Sequence, residues 1–192
     1  VIAALGLKRS LAAIAFALGA CASLPPPVGN EAPLAAPDTP FAIAGRISAR
    51  HGDAGVAGSF SWRHEPGHDA IELSSPLGQT LARLDGGPAE VTAQLQDGRS
   101  QSAPTWRALT ERAFGVTIPI DGLSSWIRAL PRPGARFSVG RYAAGRVAQL
   151  RQDGWDIVYA YADDRAQTPF RVTLSYPGAE PIEVRVVVDR RE

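Results

Sequence analysis

Two of the three histidines stand at a spacing that carries chemistry in other proteins. His64-Glu65-Pro66-Gly67-His68 spells H-E-x-x-H. In zinc proteases a helix sets both imidazoles of that pattern on one face and the glutamate beside the metal-bound water. Here Pro66-Gly67 falls between the ligands, and proline removes a helical donor and clashes with the preceding turn. The stretch follows a strand ending at Trp62 and precedes one at Ile71. It therefore reads as a hairpin loop carrying polar histidines, with no metal site. Carboxylates are frequent, as at Asp163-Asp164, but they lie in polar loop contexts with no spacing that marks a catalytic pair. No Walker loop, G-x-S-x-G elbow or Rossmann glycine set is present. Lys8 is the only lysine and Cys21 the only cysteine. The reading is of a protein that is not an enzyme and uses no cofactor.

Cys21 carries chemistry of another kind. Lys8-Arg9 precedes a short apolar run, Leu11 to Leu18, and then Gly19-Ala20. That is a charged n-region, an h-region of signal-peptide length and a small-residue cleavage site. The run is shorter than the roughly 20 residues of a membrane span. Cysteine in the next position resembles a bacterial lipobox, where the thiol is diacylated before cleavage. Residues 1–20 are then a lipoprotein signal peptide, and Cys21 is the lipid-attachment residue (S-diacylglycerol and N-palmitoyl). Of 20 basic and 19 acidic residues, Lys8 and Arg9 fall in the signal, which leaves the mature chain at −1. The arginines are scattered, and no clustered patch suited to nucleic acid is present.

Residues 21–40 are rich in Pro and Ala, including Pro25-Pro26-Pro27, and read as a lipid-anchored, semi-extended tether. A single domain over 41–192 follows. From Phe41 the apolar period is two: Phe41, Ile43, Gly45, Ile47 and Ala49, then Val56, Gly58, Phe60 and Trp62. Shorter runs at 71–73, 81–84 and 91–95 are separated by Gly, Pro and Asp, as in an antiparallel meander. The period then becomes helical. Trp106, Leu109, Ala113 and Phe114 share a face closed by Gly115. Asp121 is placed to N-cap a second helix with Leu123, Trp126, Ile127 and Leu130 on its stripe, ended by Pro131. Strands resume at 146–151, 155–161, 170–175 and 182–188. A sheet of eight or more strands in a domain this size must curl, and the two or three helices are placed to cover its concave face.

The turn Ser74-Ser75-Pro76-Leu77-Gly78-Gln79-Thr80 departs from the polar norm. Pro76 presets the turn and Gly78 permits positive φ. Leu77 then sits near the tip and points outward, or it folds back over the edge of the barrel. An exposed Leu77 makes Pro76, Leu77 and Gly78 a membrane-insertion turn, giving a transient touch rather than residence.

These residues together resemble the LolB family, outer-membrane lipoprotein receptors of Gram-negative lipoprotein sorting. The resemblance covers roughly 41–188. It rests on Ile43-Ala44-Gly45-Arg46-Ile47, Gly58-Ser59-Phe60-Ser61-Trp62, Ser75-Pro76-Leu77-Gly78-Gln79-Thr80, Ile118-Pro119-Ile120 with Leu123 and Trp126-Ile127, Leu130-Pro131, Gln152-Asp153-Gly154-Trp155 and Tyr159. It implies an unclosed antiparallel half-barrel whose helices cover a concave, apolar cavity. It further implies a monomer on the periplasmic face of the outer membrane. Such a protein takes acylated lipoprotein cargo from a soluble periplasmic LolA-like carrier and releases it into outer-membrane lipid, without covalent chemistry. The family's protruding apolar loop falls on Leu77 and its acylated cysteine on Cys21. Ala22, rather than aspartate, follows the cysteine. Two positions depart from the pattern: Ala129 stands where glycine is common, and the chain ends Val188-Asp189-Arg190-Arg191-Glu192 where tryptophan is usual.

The residue pattern admits the same function. Ile43, Ile47, Phe60, Trp62 and Leu73 on one face, under helices carrying Trp106, Phe114, Leu123, Trp126 and Ile127, form a candidate cavity lining. The alternative is that all of them fill a packed core, since a pocket requires core left unfilled. The alternative function is a scaffold lipoprotein that binds another envelope protein.

Overall fold

The computed structural model describes residues 38–142 and 145–192, with the backbone of Asn30–Glu31. Cys21, the signal segment and most of the tether lie outside the described residues. Among the described residues twelve strands form one antiparallel sheet. They are β1 (Asn30–Glu31), β2 (Phe41–His51), β3 (Ala54–Glu65), β4 (His68–Ser74), β5 (Thr80–Gly86), β6 (Val91–Leu95), β7 (Ser100–Ala103), β8 (Phe137–Arg141), β9 (Val147–Gln152), β10 (Trp155–Ala160), β11 (Arg171–Tyr176) and β12 (Ile182–Arg191). Helices α1 (Trp106–Phe114) and α2 (Ile120–Trp126) fall between β7 and β8. Across the sheet the order is β1-β8-β9-β10-β11-β12-β2-β3-β4-β5-β6-β7, so β1 and β7 are edges and the sheet is unclosed.

Period-two alternation decides the inner face. Along β3, Phe60, Trp62 and His64 are buried while Ser59, Ser61 and Arg63 are exposed. Register carries the row sideways: Trp62 lies opposite Ile43 on β2 and Ile71 on β4, and Ile71 lies opposite Leu84. One turn of the sheet depends on a missing side chain. A Cβ at Gly58 would stand 2.1 Å from the Ser74 carbonyl oxygen, where the β4–β5 register is irregular between Leu73 and Ser74. Glycine and irregular pairing together let the backbone bend inward.

The helices close over this face. Thr105 caps α1, its hydroxyl accepting from the Ala108 N–H at 3.2 Å, and Gly115 ends the helix. The second helix is shorter than its apolar stripe suggests. Pro119 occupies the N-cap without a side-chain bond, and Asp121 falls within the first turn instead of capping it. The chain leaves α2 before Leu130. The Ala129 N–H bonds the Trp126 carbonyl at 2.9 Å and the Leu130 N–H bonds the Ser125 carbonyl at 3.3 Å. This is the reciprocal pair of a Schellman ending, and Ala129 takes its left-handed position at φ 58. Arg191 holds the last strand to that exit, donating to the carbonyls of Pro169 at 2.7 Å and Ile127 at 3.3 Å.

Two substitutions test these local arguments. Gly58→Ala should destabilise the domain by about 2–3 kcal/mol in urea unfolding, because the methyl group collides with backbone. Ala129→Gly should stabilise it by about 0.5–1 kcal/mol, as left-handed strain is relieved against added chain entropy. The thermal midpoint should then rise by about 2 °C.

Candidate functional site

An apolar cavity lies between the sheet and the segment entering α2. Its walls are Ile47, Phe60, Trp62, Ile71, Leu73, Leu84, Val186, Ile118, Ile120 and Leu123, and its volume is about 20 Å³. That is room for about one water, so the space between these side chains and the 118–123 segment is nearly filled. Five residues expected from the sequence (Ile47, Phe60, Trp62, Leu73 and Leu123) come together here. Ile43, Trp106, Trp126 and Ile127 are buried elsewhere in the core, and Phe114 is partly buried against it. Ile71 and Leu84 were visible in the alternation, and Ile118 and Ile120 in the Ile-Pro-Ile motif. Their convergence appears only once β4, β5 and the 118–123 segment are folded together.

The roof is held mostly by packing. Among the described residues, no hydrogen bond joins 119–123 to a strand; the Leu123 N–H, for example, bonds the Pro119 carbonyl at 2.8 Å. Polar clamps flank the segment. At one side the Thr110 hydroxyl accepts the Ile118 N–H at 2.9 Å. At the other, the Trp126 Nε1 donates to Gln152 Oε1 at 2.8 Å, and the Gln152 amide also donates to the carbonyls of Arg132 and Ala135. Parting the roof from the sheet therefore breaks apolar contacts rather than hydrogen bonds.

The expected histidine loop is a correction. β3 continues to Glu65 and β4 begins at His68, which leaves Pro66-Gly67 as a two-residue turn. His64 is 3% exposed, so it is a buried strand residue and not a loop histidine. Its Nδ1 lies 2.7 Å from Asp69 Oδ1 and its Nε2 2.7 Å from Asp38 Oδ1. Trp62 Nε1 donates to the same Asp69 oxygen at 2.7 Å, and the Phe41 ring stacks on the imidazole at 4.8 Å. Burial pushes the Asp69 carboxyl above its ordinary range, against the opposing pull of the His64 and Trp62 bonds. Burial of polar partners distant in sequence supplies what local turn composition hides. His68 is exposed and faces Asp85 at 3.4 Å. Among the described residues no group of three or more His, Cys, Asp or Glu is arranged to hold a metal ion.

Asp38 and Thr39 bind the domain, since Arg128 donates to the Thr39 hydroxyl and also lies over the Phe41 ring at 5.7 Å. The last residues of the expected tether are therefore fastened to the fold.

Leu77 stands apart from the core at 91% exposure. The Ser75 N–H bonds the Gln79 carbonyl at 2.8 Å, and the Gly78 N–H bonds the Ser75 carbonyl at 2.9 Å. Gly78 has φ 82, the left-handed residue that follows a tight turn in short hairpin loops. Pro76 and Gly78 thus hold Leu77 at the tip of a loop closed by its own backbone.

Residues 39–190 match the family described as "Outer membrane lipoprotein LolB". The chain belongs to the LolB family. It is 37% identical to the outer-membrane lipoprotein LolB of Azoarcus sp. (strain BH72), covering 96% of each chain. It is 36% identical to that of Cupriavidus necator, covering 96% of this chain and 99% of that one. The LolB protein of Chromobacterium violaceum is 38% identical over 80% of this chain and 81% of its own. Among solved structures, a LolA superfamily protein from Nitrosomonas europaea aligns at TM-score 0.46 and 7% identity, covering 82% of this chain and 87% of that one.

Asp69 and Asp38 should differ sharply on truncation. Asp69→Ala leaves the buried Trp62 and His64 nitrogens without their acceptor and should cost about 3 kcal/mol in urea unfolding. Asp38→Ala removes a half-exposed partner and should cost less than about 1 kcal/mol.

Proposed function

We propose that this protein is an outer-membrane lipoprotein receptor, which takes acylated lipoproteins from a soluble periplasmic carrier and releases them into the outer membrane. Transfer is non-covalent. Acyl chains enter between the concave sheet and the 118–123 roof, and they leave because the site holds them only by apolar contact. The observation that carries this reading is the cavity walled by apolar side chains under a roof that, among the described residues, makes no hydrogen bond to the strands. Membership of the LolB family supports it, as does the outer-membrane lipoprotein name shared by the relatives.

Closure of the cavity is part of the mechanism. Ligand pockets of small molecules run to about 300–1,000 Å³, far above the about 20 Å³ present here. An arriving chain must lift the roof, and each buried CH₂ contributes roughly 0.8 kcal/mol toward doing so. When the chain leaves, the roof and sheet bury each other again. Binding is thereby kept weak enough to be reversed.

Leu77 is the membrane-touching residue of this scheme, and Cys21 the acylated attachment point. Burying one leucine in lipid yields about 2 kcal/mol, enough for a passing contact. Residence requires the acyl chains, since stable anchoring takes more than one.

The test uses a carrier loaded with an acylated lipoprotein, the chain carrying Cys21→Ala, and liposomes. Cargo should pass to the unanchored protein and then to the vesicles. Adding Leu77→Glu should leave uptake intact and slow delivery by at least about tenfold. Absence of any cargo uptake would overturn the receptor reading and favour a scaffold lipoprotein. Delivery unchanged by Leu77→Glu would remove the turn from the mechanism.

A further inference from the structure

We propose that Tyr159 is the polar contact of the lipid site, its hydroxyl donating a hydrogen bond to the carbonyl at the head of a bound acyl chain. The inference rests on the receptor reading above and adds to it the part of the cargo lipid that this chain recognises.

Tyr159 is 1% exposed, on the buried row Trp155, Ile157 and Tyr159 of β10. Its hydroxyl is buried and has no hydrogen-bond partner among the described residues. Trp62, Asp69, Thr110, Trp126 and Gln152 are also buried, and the side chain of each is hydrogen-bonded. Among the described residues two other buried side-chain polar atoms lack partners, and both are less telling. Gln101 lies on the edge strand β7. The guanidinium of Arg146 is bonded through its other nitrogens. A buried donor without an acceptor calls for a reason.

Register supplies the reason. Tyr159 pairs with Val172, Val172 with Val186, and Val186 with Ile47. All four lie in one lateral row, and Val186 and Ile47 line the apolar cavity. Tyr159 is two strands from Val186, or roughly 10 Å along a flat sheet, and the curl of this sheet shortens that path. A chain that lifts the roof widens the concavity toward this row. The cargo end that follows the hydrocarbon is an ester or amide carbonyl, an acceptor with no hydrogen of its own. Burial holds the Tyr159 phenol far above its ordinary range, so it remains a neutral donor. The contact is a single neutral hydrogen bond, which orients the lipid head without making release slow.

The test compares glyceryl monopalmitate with hexadecyl glyceryl ether, which has the same chain and lacks the carbonyl. Both are titrated by tryptophan fluorescence into the full chain carrying Cys21→Ala, with and without Tyr159→Phe. The ester should bind about fivefold more tightly than the ether when Tyr159 is present. Tyr159→Phe should abolish that preference, leave the ether unchanged and not lower the thermal midpoint, because the hydroxyl it removes had no partner. Equal binding of ester and ether in the presence of Tyr159 overturns the assignment. An equal loss for both probes in Tyr159→Phe overturns it too, by making the residue a packing element. Failure of both probes to bind the parent chain overturns the receptor reading along with it.

Discussion

The concave face of the sheet must bury itself with very little help. A β-sandwich covers one sheet with another, but the described residues form a single sheet and two helices of nine and seven residues. The sheet therefore bends until its own large side chains meet, and the bend at Gly58 is one place where the backbone allows it. Everything apolar depends on that curl: the rows from β12 to β5 converge, and the 118–123 segment drops into the remaining gap. What is left over is a small space with apolar walls, the natural weak point of a core whose lid is too short to be fixed by its own secondary structure.

Strand alternation made β2 and β3 legible, because Ile43 and Trp62 alternate with polar neighbours over long runs. It missed β7, whose Ser100-Gln101-Ser102-Ala103 has little apolar content and is a strand because β6 offers it an edge. It also missed β8, where Phe137 and Val139 are too few to establish a period. The second helix shows the opposite failure: its stripe runs past the point where Ala129 turns left-handed and ends it. Outward placement of Leu77 was one of two options in the sequence. What distinguishes them is a backbone closure, Ser75 to Gln79, that composition does not reveal.

The polar interior was the least legible part. Asp38 and Asp69 stand 26 and 5 residues from His64, and no local pattern announces that one imidazole will join both. The H-E-x-x-H letters drew attention to the right residue for the wrong chemistry. Gln152 was visible only as part of a turn motif, yet its amide is the junction where α2, the 132–135 segment and β9 meet. Tyr159 stood in the sequence only as a residue of the family resemblance, within the strand expected at 155–161. Its hydroxyl becomes conspicuous only when its neighbours prove to have partners.

The first strand bears on the proposed attachment. Asn30 and Glu31 pair with Ser138 and Phe137 at the edge of the sheet. In the receptor scheme proposed above, with its lipid on Cys21, β1 rather than Phe41 is the nearest point of the sheet in sequence, nine residues away and so at most about 30 Å at full extension. In that scheme a body on so short a leash sweeps only a shallow shell above the bilayer. Its traffic must come to it, and its orientation toward the surface is governed by where β1 joins the sheet as much as by the length of the proline-rich segment.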